Sequence, residues 1–142
     1  MNLSENNFYI EYMNAFARGD YPNAISALEA CLKDYGGNDE KQAFLLKTLA
    51  DVSYANGDAN QSLEYYSLAE KTDKDSLQIS LFFAEFLAHK LRDFVNSIKK
   101  CEEVISRAKK SPFDESDEDF GSDYYRSKAE DLISFCVRES SL

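Results

Sequence analysis

Gly19-Asp20-Tyr21-Pro22-Asn23-Ala24-Ile25, Gly57-Asp58-Ala59-Asn60-Gln61-Ser62-Leu63 and Arg92-Asp93-Phe94-Val95-Asn96-Ser97-Ile98 are three renderings of one pattern, 38 and then 35 residues apart. Each reads as a tight turn closed by an aspartate that caps the next helix, followed by a small residue and an aliphatic one inside that helix. Pro22 falls in the first turn of its helix, where a missing N–H is harmless. A turn–cap signal returning at this interval is the mark of a stack of helix pairs.

Outward from these turns the chain divides into seven helices. The first is expected over about Glu5 to Arg18, capped by Ser4 and ended by Gly19. Asp20 opens the second, and Gly36-Gly37 stops it. Asp39, with Gln42 three residues on, opens the third in a box-like cap. The third reaches Asn56-Gly57, and Asp58 begins the fourth. Asp75 begins the fifth, which ends near Leu91, and Asp93 caps the sixth. Ser111-Pro112 ends that helix, because a residue before proline is pushed out of the helical region. Ser122 opens the last, to about Glu139, with Tyr125, Ala129, Leu132, Ile133 and Cys136 on one face. Short connections imply antiparallel neighbours throughout.

Composition agrees with one all-α domain over residues 1–142. Apolar residues make up 44% and charged residues 30%, with only two prolines and five glycines to interrupt helices. The net charge of −10, from 26 acidic and 16 basic side chains, repels nucleic acid and anionic lipid and attracts a basic protein. Solubility alone is the plainer use of the same charge. Cys31, Cys101 and Cys136 are odd in number and far apart, and each falls on an apolar helix face, so a reducing, cytoplasmic setting is expected. The start Met1-Asn2-Leu3-Ser4-Glu5 has no basic region followed by an apolar run, so no secretory leader is expected. No stretch is long and apolar enough to span a bilayer.

In these pairs the chain resembles the tetratricopeptide repeat family. Ala24, Ser62 and Ser97 match its small residue in the second helix; Leu28, Tyr66 and Cys101 match the bulky position four residues on; Cys31, Ala69 and Val104 match the next. In the first helices Phe8 and Leu46 match its leading large residue, and Leu49-Ala50 its Leu-Gly pair. Glu11 stands where an apolar residue is usual, and the closing proline is absent from all three repeats. The resemblance implies repeats over 5–38, 39–74 and 75–110, an acidic loop over 111–121 and a capping helix over 122–139. It implies a right-handed stack of antiparallel helix pairs that binds another protein.

In such a stack the first helices line a concave groove. The resemblance places there Tyr9, Met13 and Phe16, then Phe44, Lys47, Asp51 and Tyr54. The third repeat fits two registers: one gives Phe82, Phe86 and His89, the other Leu81, Glu85, Ala88 and His89. Aromatic and methionine side chains are effective anchors for a peptide or helix. Aromatic stripes at this spacing equally form core, and the last helix is able to fold back into the groove. A carboxylate clamp is disfavoured, since the positions that need Lys, Arg and Asn are mostly aromatic.

The second candidate site is the loop with Asp114, Glu115, Asp117, Glu118 and Asp119, flanked by Phe113 and Phe120. It reads either as an electrostatic hook for basic side chains or as a solvated linker. It lacks the alternating oxygen ligands of a calcium loop. Ser116, followed by three acids, looks like an acid-directed kinase site. With one histidine, His89, and no phosphate loop or nucleophile elbow, no enzymatic activity, cofactor or metal is expected. The expected role is an adaptor or scaffold. The alternative is a dedicated single-partner protein, either an immunity protein neutralising a basic toxin domain or a secretion chaperone. Self-association through Phe8, Tyr12 or the last helix is a third reading.

Overall fold

The computed structural model describes residues 2–110 and 121–141. Among them every regular element is helical. After a short 3-10 turn at Leu3–Glu5 come α1 (Asn7–Ala17), α2 (Tyr21–Asp34), α3 (Asp39–Ala55), α4 (Ala59–Thr72), α5 (Leu77–His89), α6 (Phe94–Lys110) and α7 (Ser122–Ser140). The all-α class and the packing of adjacent helices in pairs within each unit are as the sequence implies.

Three capping aspartates act as read: Asp20, Asp58 and Asp93 accept from the backbone N–H of Asn23, Gln61 and Asn96. Others shift by one or two residues. α1 is capped by Asn6, not Ser4, because Ser4 is taken into the 3-10 turn. Asn6 accepts from the N–H groups of Phe8 and Tyr9 at 2.9 and 3.2 Å, and donates to Asp34 at the end of α2. Asn38 rather than Asp39 caps α3, and Ser76 rather than Asp75 caps α5. In both cases the cap precedes an acid or leucine that adopts helical geometry itself.

The chain divides into two compact units, Met1–Lys74 and Asp75–Leu142. In the first, α1 packs on α2, α2 on α3 and α3 on α4. Its interior holds Ala24, Leu28, Cys31, Leu45, Leu49 and Ala50, each without exposed surface. In the second, α5 packs on α6, and α7 lies against both. Its core joins Leu77, Leu81, Ala84 and Ala88 of α5 to Cys101, Val104 and Ala108 of α6 and to Tyr125, Ala129, Leu132 and Cys136 of α7. The face expected on α7 is therefore the face it buries.

Two hydrogen bonds show that the pairs α3–α4 and α5–α6 are built alike. Ser62 Oγ donates to the Ala50 carbonyl at 2.6 Å, and Ser97 Oγ to the Ala84 carbonyl at 2.8 Å. A serine without exposed surface can approach the neighbouring backbone closely and still satisfy its hydroxyl. The turns before α2, α4 and α6 also correspond: Gly19, Gly57 and Arg92 all have positive φ, at 74°, 87° and 51°. Arg92 thus holds a conformation that favours glycine. The third turn is longer by one residue. The N–H groups of Asp20 and Asp58 reach carbonyls five residues back, at Ala15 and Ser53, whereas that of Asp93 reaches six back to Leu87.

Candidate functional site

That extra residue decides the register of α5. Pairing Ala84 with Ala50 lays Leu77, Ile79, Ser80, Phe83, Ala84 and Phe86 over Ala43, Leu45, Leu46, Leu49, Ala50 and Val52, and all twelve are buried. In this pairing Leu81, Glu85 and Ala88, members of the second expected set, correspond to Lys47, Asp51 and Tyr54. Phe86 is 5% exposed and occupies a core position, while Phe82 is half-buried and His89 exposed. Leu81 and Ala88 share the core cluster that includes α7, and the His89 ring lies 4.6 Å from that of Phe135 on α7. In the second unit α7 thus covers this side of α5.

In the first unit the positions read as a groove remain accessible. Among the residues of α1 only Ala15 is fully buried, although most of the helix is apolar. Met13 and Phe16 are 44% and 43% exposed, and Tyr9 is half-buried. Tyr9, Tyr12, Phe16 and Tyr21 form a continuous aromatic row, with successive ring centroids 5.2, 6.0 and 5.6 Å apart and tilted planes. Such tilted contacts hold the rings at fixed angles without removing their outer faces from water.

On α3, Phe44, Lys47, Asp51 and Tyr54 follow at helical spacing, each half-buried. Lys47 Nζ lies 2.8 Å from Asp51 Oδ2, and the hydroxyl of Tyr66, itself buried in α4, donates to Asp51 Oδ1 at 2.5 Å. Asp51 is therefore positioned from two sides. Burial raises the Tyr12 phenol above its ordinary range, with smaller contributions from Tyr9 and from the Asp51 carboxylate. Burial likewise raises Tyr9, with Cys31 adding to it. Both phenols stay protonated near neutrality and can donate hydrogen bonds.

Three residues near these positions were not in the expected groove set, although Tyr12 was expected as a self-association contact and Tyr66 as a packing position. Tyr12 and Tyr21 complete the row, and Tyr66 orients Asp51; the four-residue spacing of Tyr12 to Phe16 was the available signal for the first. Asp114, Glu115, Asp117, Glu118 and Asp119 lie outside the described residues, as do Phe113, Ser116 and Phe120. Among the described residues no three His, Cys, Asp or Glu side chains gather as a metal site, and no helix is long and apolar enough to cross a membrane. All three cysteines are free and buried.

No protein-family model matches the chain, and no curated protein matches it.

Proposed function

We propose that the chain is a protein-binding module of tetratricopeptide-like helix pairs, and that the α1–α3 face of its first unit takes a peptide or helix of a partner. The carrying observation is the row Tyr9–Tyr12–Phe16–Tyr21, held in order yet left partly exposed. Rigid aromatic rings bind at small entropic cost, and an ion pair half in water can exchange one partner for a ligand's charge or backbone. Met13 adds an adaptable contact. The recurring serine-to-carbonyl bonds and positive-φ turns support the repeat reading. The role is one of binding without a catalytic step, as an adaptor or scaffold, and the free cysteines suit a reducing, cytoplasmic setting.

The net charge of −10 favours a second reading: a dedicated partner of one basic protein, as an immunity protein or secretion chaperone would be. Affinity capture from source-cell lysate separates the two. An adaptor retains several proteins at high salt and loses them on Phe16→Ala with Tyr54→Ala. A dedicated partner is a single stoichiometric basic protein released by salt. Capture unaffected by the double substitution contradicts the α1–α3 site.

A further inference from the structure

The chain lays its own cations over its own aromatic rings. Lys41 stands 5.8 Å from the ring centroid of Tyr35, Arg92 5.0 Å from Phe94, Lys100 4.7 Å from Phe83 and Lys128 5.6 Å from Tyr124. The electron-rich face of a ring attracts a cation at such distances. The row Tyr9–Tyr12–Phe16–Tyr21 differs: among the described residues no Lys or Arg lies over any of its four rings. Phe16 is 43% exposed and the other three are half-buried, so ring surface in the row is open to a cation from outside.

The charge of the first unit selects the same kind of ligand. Glu11 is the only charged residue of α1. Arg18 lies 3.7 Å from Asp20 and Lys47 2.8 Å from Asp51, so both of these cations already stand against carboxylates. The Asp51 carboxylate contributes to the rise of the Tyr12 phenol, so its negative charge is felt within the row. Residues 1–74 hold 12 acidic against 6 basic side chains, a balance that attracts a basic segment and repels an acidic one. An apolar side chain would gain contact with the rings and nothing from this field. A guanidinium gains from both, because it is planar, weakly hydrated and stacks on aromatic faces. Resting on the α1–α3 reading, we propose that the segment taken there is an arginine-bearing stretch of a partner protein, its guanidinium groups stacked on the rings of Tyr9, Tyr12 and Phe16.

The test titrates three synthetic peptides into the isotopically labelled full chain, followed by NMR. They differ only at the same few positions, which hold arginine, citrulline or leucine; citrulline keeps the planar shape of arginine without its charge. The arginine peptide is expected to shift the ring protons of Tyr9, Tyr12 and Phe16 and to bind at least about tenfold more tightly than the citrulline peptide. Its arginine δ-methylene protons should move upfield, as they do over a ring face and do not in a purely long-range attraction. Phe16→Leu keeps the net charge and an apolar side chain, and should reduce both the upfield shift and the affinity, with circular dichroism unchanged. Equal binding of the arginine and citrulline peptides, tightest binding of the leucine peptide, no binding, or arginine binding without the upfield shift would each overturn the proposal. A dimer in sedimentation equilibrium that Phe16→Leu dissociates would make a second copy the occupant and also overturn it. The capture assay tests the face itself separately: partners lost on Phe16→Ala with Tyr54→Ala, beside no preference for arginine, overturn the arginine and leave the α1–α3 reading standing.

Discussion

Asn6 ties two helices together with one side chain. Its carbonyl oxygen caps α1 and its amide group holds Asp34 at the end of α2, while the residue itself is 3% exposed. Asn6→Ala is expected to lower the unfolding free energy by about 1–2 kcal/mol in urea titration, whereas Ser4→Ala should change it by less than ~0.5 kcal/mol. A larger loss at Ser4 would return the cap to the position that sequence alone favours. Cys101 makes a pH prediction. Burial pushes its thiol up to about 12 from an ordinary 9.0, with Cys136 adding to the shift. Below pH 9 the thiol is protonated in folded and unfolded chains alike. Above it the unfolded chain loses the proton and the folded chain does not, so stability falls as pH rises from 9 toward 12. The slope approaches roughly 1.4 kcal/mol per pH unit from this group. Cys101→Ala should flatten that part of the stability profile measured by denaturant titration; an unchanged slope would assign it to other groups. The raised tyrosines Tyr9, Tyr12 and Tyr65 act in the same direction at higher pH.

At the level of helices, α7 is the clearest case of an element defined by what it covers. Leu132 is 6% exposed within the core cluster of the second unit, while Val137 on the same helix is 52% exposed. Leu132→Ala should cost about 2–4 kcal/mol and Val137→Ala less than ~0.5 kcal/mol, read from thermal or urea unfolding. Equal losses would mean that α7 packs through a different face. The burying face of α7 was legible in the sequence because Tyr125, Ala129, Leu132 and Cys136 repeat at helical spacing with no competing apolar face. The turns were legible because Gly-Asp states both requirements, positive φ and a cap. The register of α5 was not. Its turn holds one extra residue, and Arg92 takes the positive-φ position where the other two turns have glycine. α5 is apolar almost all round, so a slip of one residue left the hydrophobic pattern nearly unchanged, and only the Ser97 to Ala84 bond distinguishes the two.

For the whole molecule, the sequence specified an all-α chain of paired helices and left the use of its surfaces open. Exposure separates what pattern cannot. Phe16 and Phe86 are both aromatic and both lay in the expected groove, yet one is 43% exposed and the other 5%. Phe16→Ala should therefore change stability by less than ~1 kcal/mol while weakening partner capture, whereas Phe86→Ala should cost about 3–5 kcal/mol. Calorimetry on the two variants beside the capture assay checks both halves. The net charge of −10 adds that association with any basic partner should slow steeply as salt rises.

The most direct test of the central claim places a photo-crosslinking phenylalanine analogue at Phe16, on the aromatic row, and separately at Leu68, which is 48% exposed on α4. Irradiation in the source cell should link position 16 to one or a few defined proteins and leave position 68 without them. The same products from both positions, or none from position 16, would contradict a partner-binding face on α1 and α3.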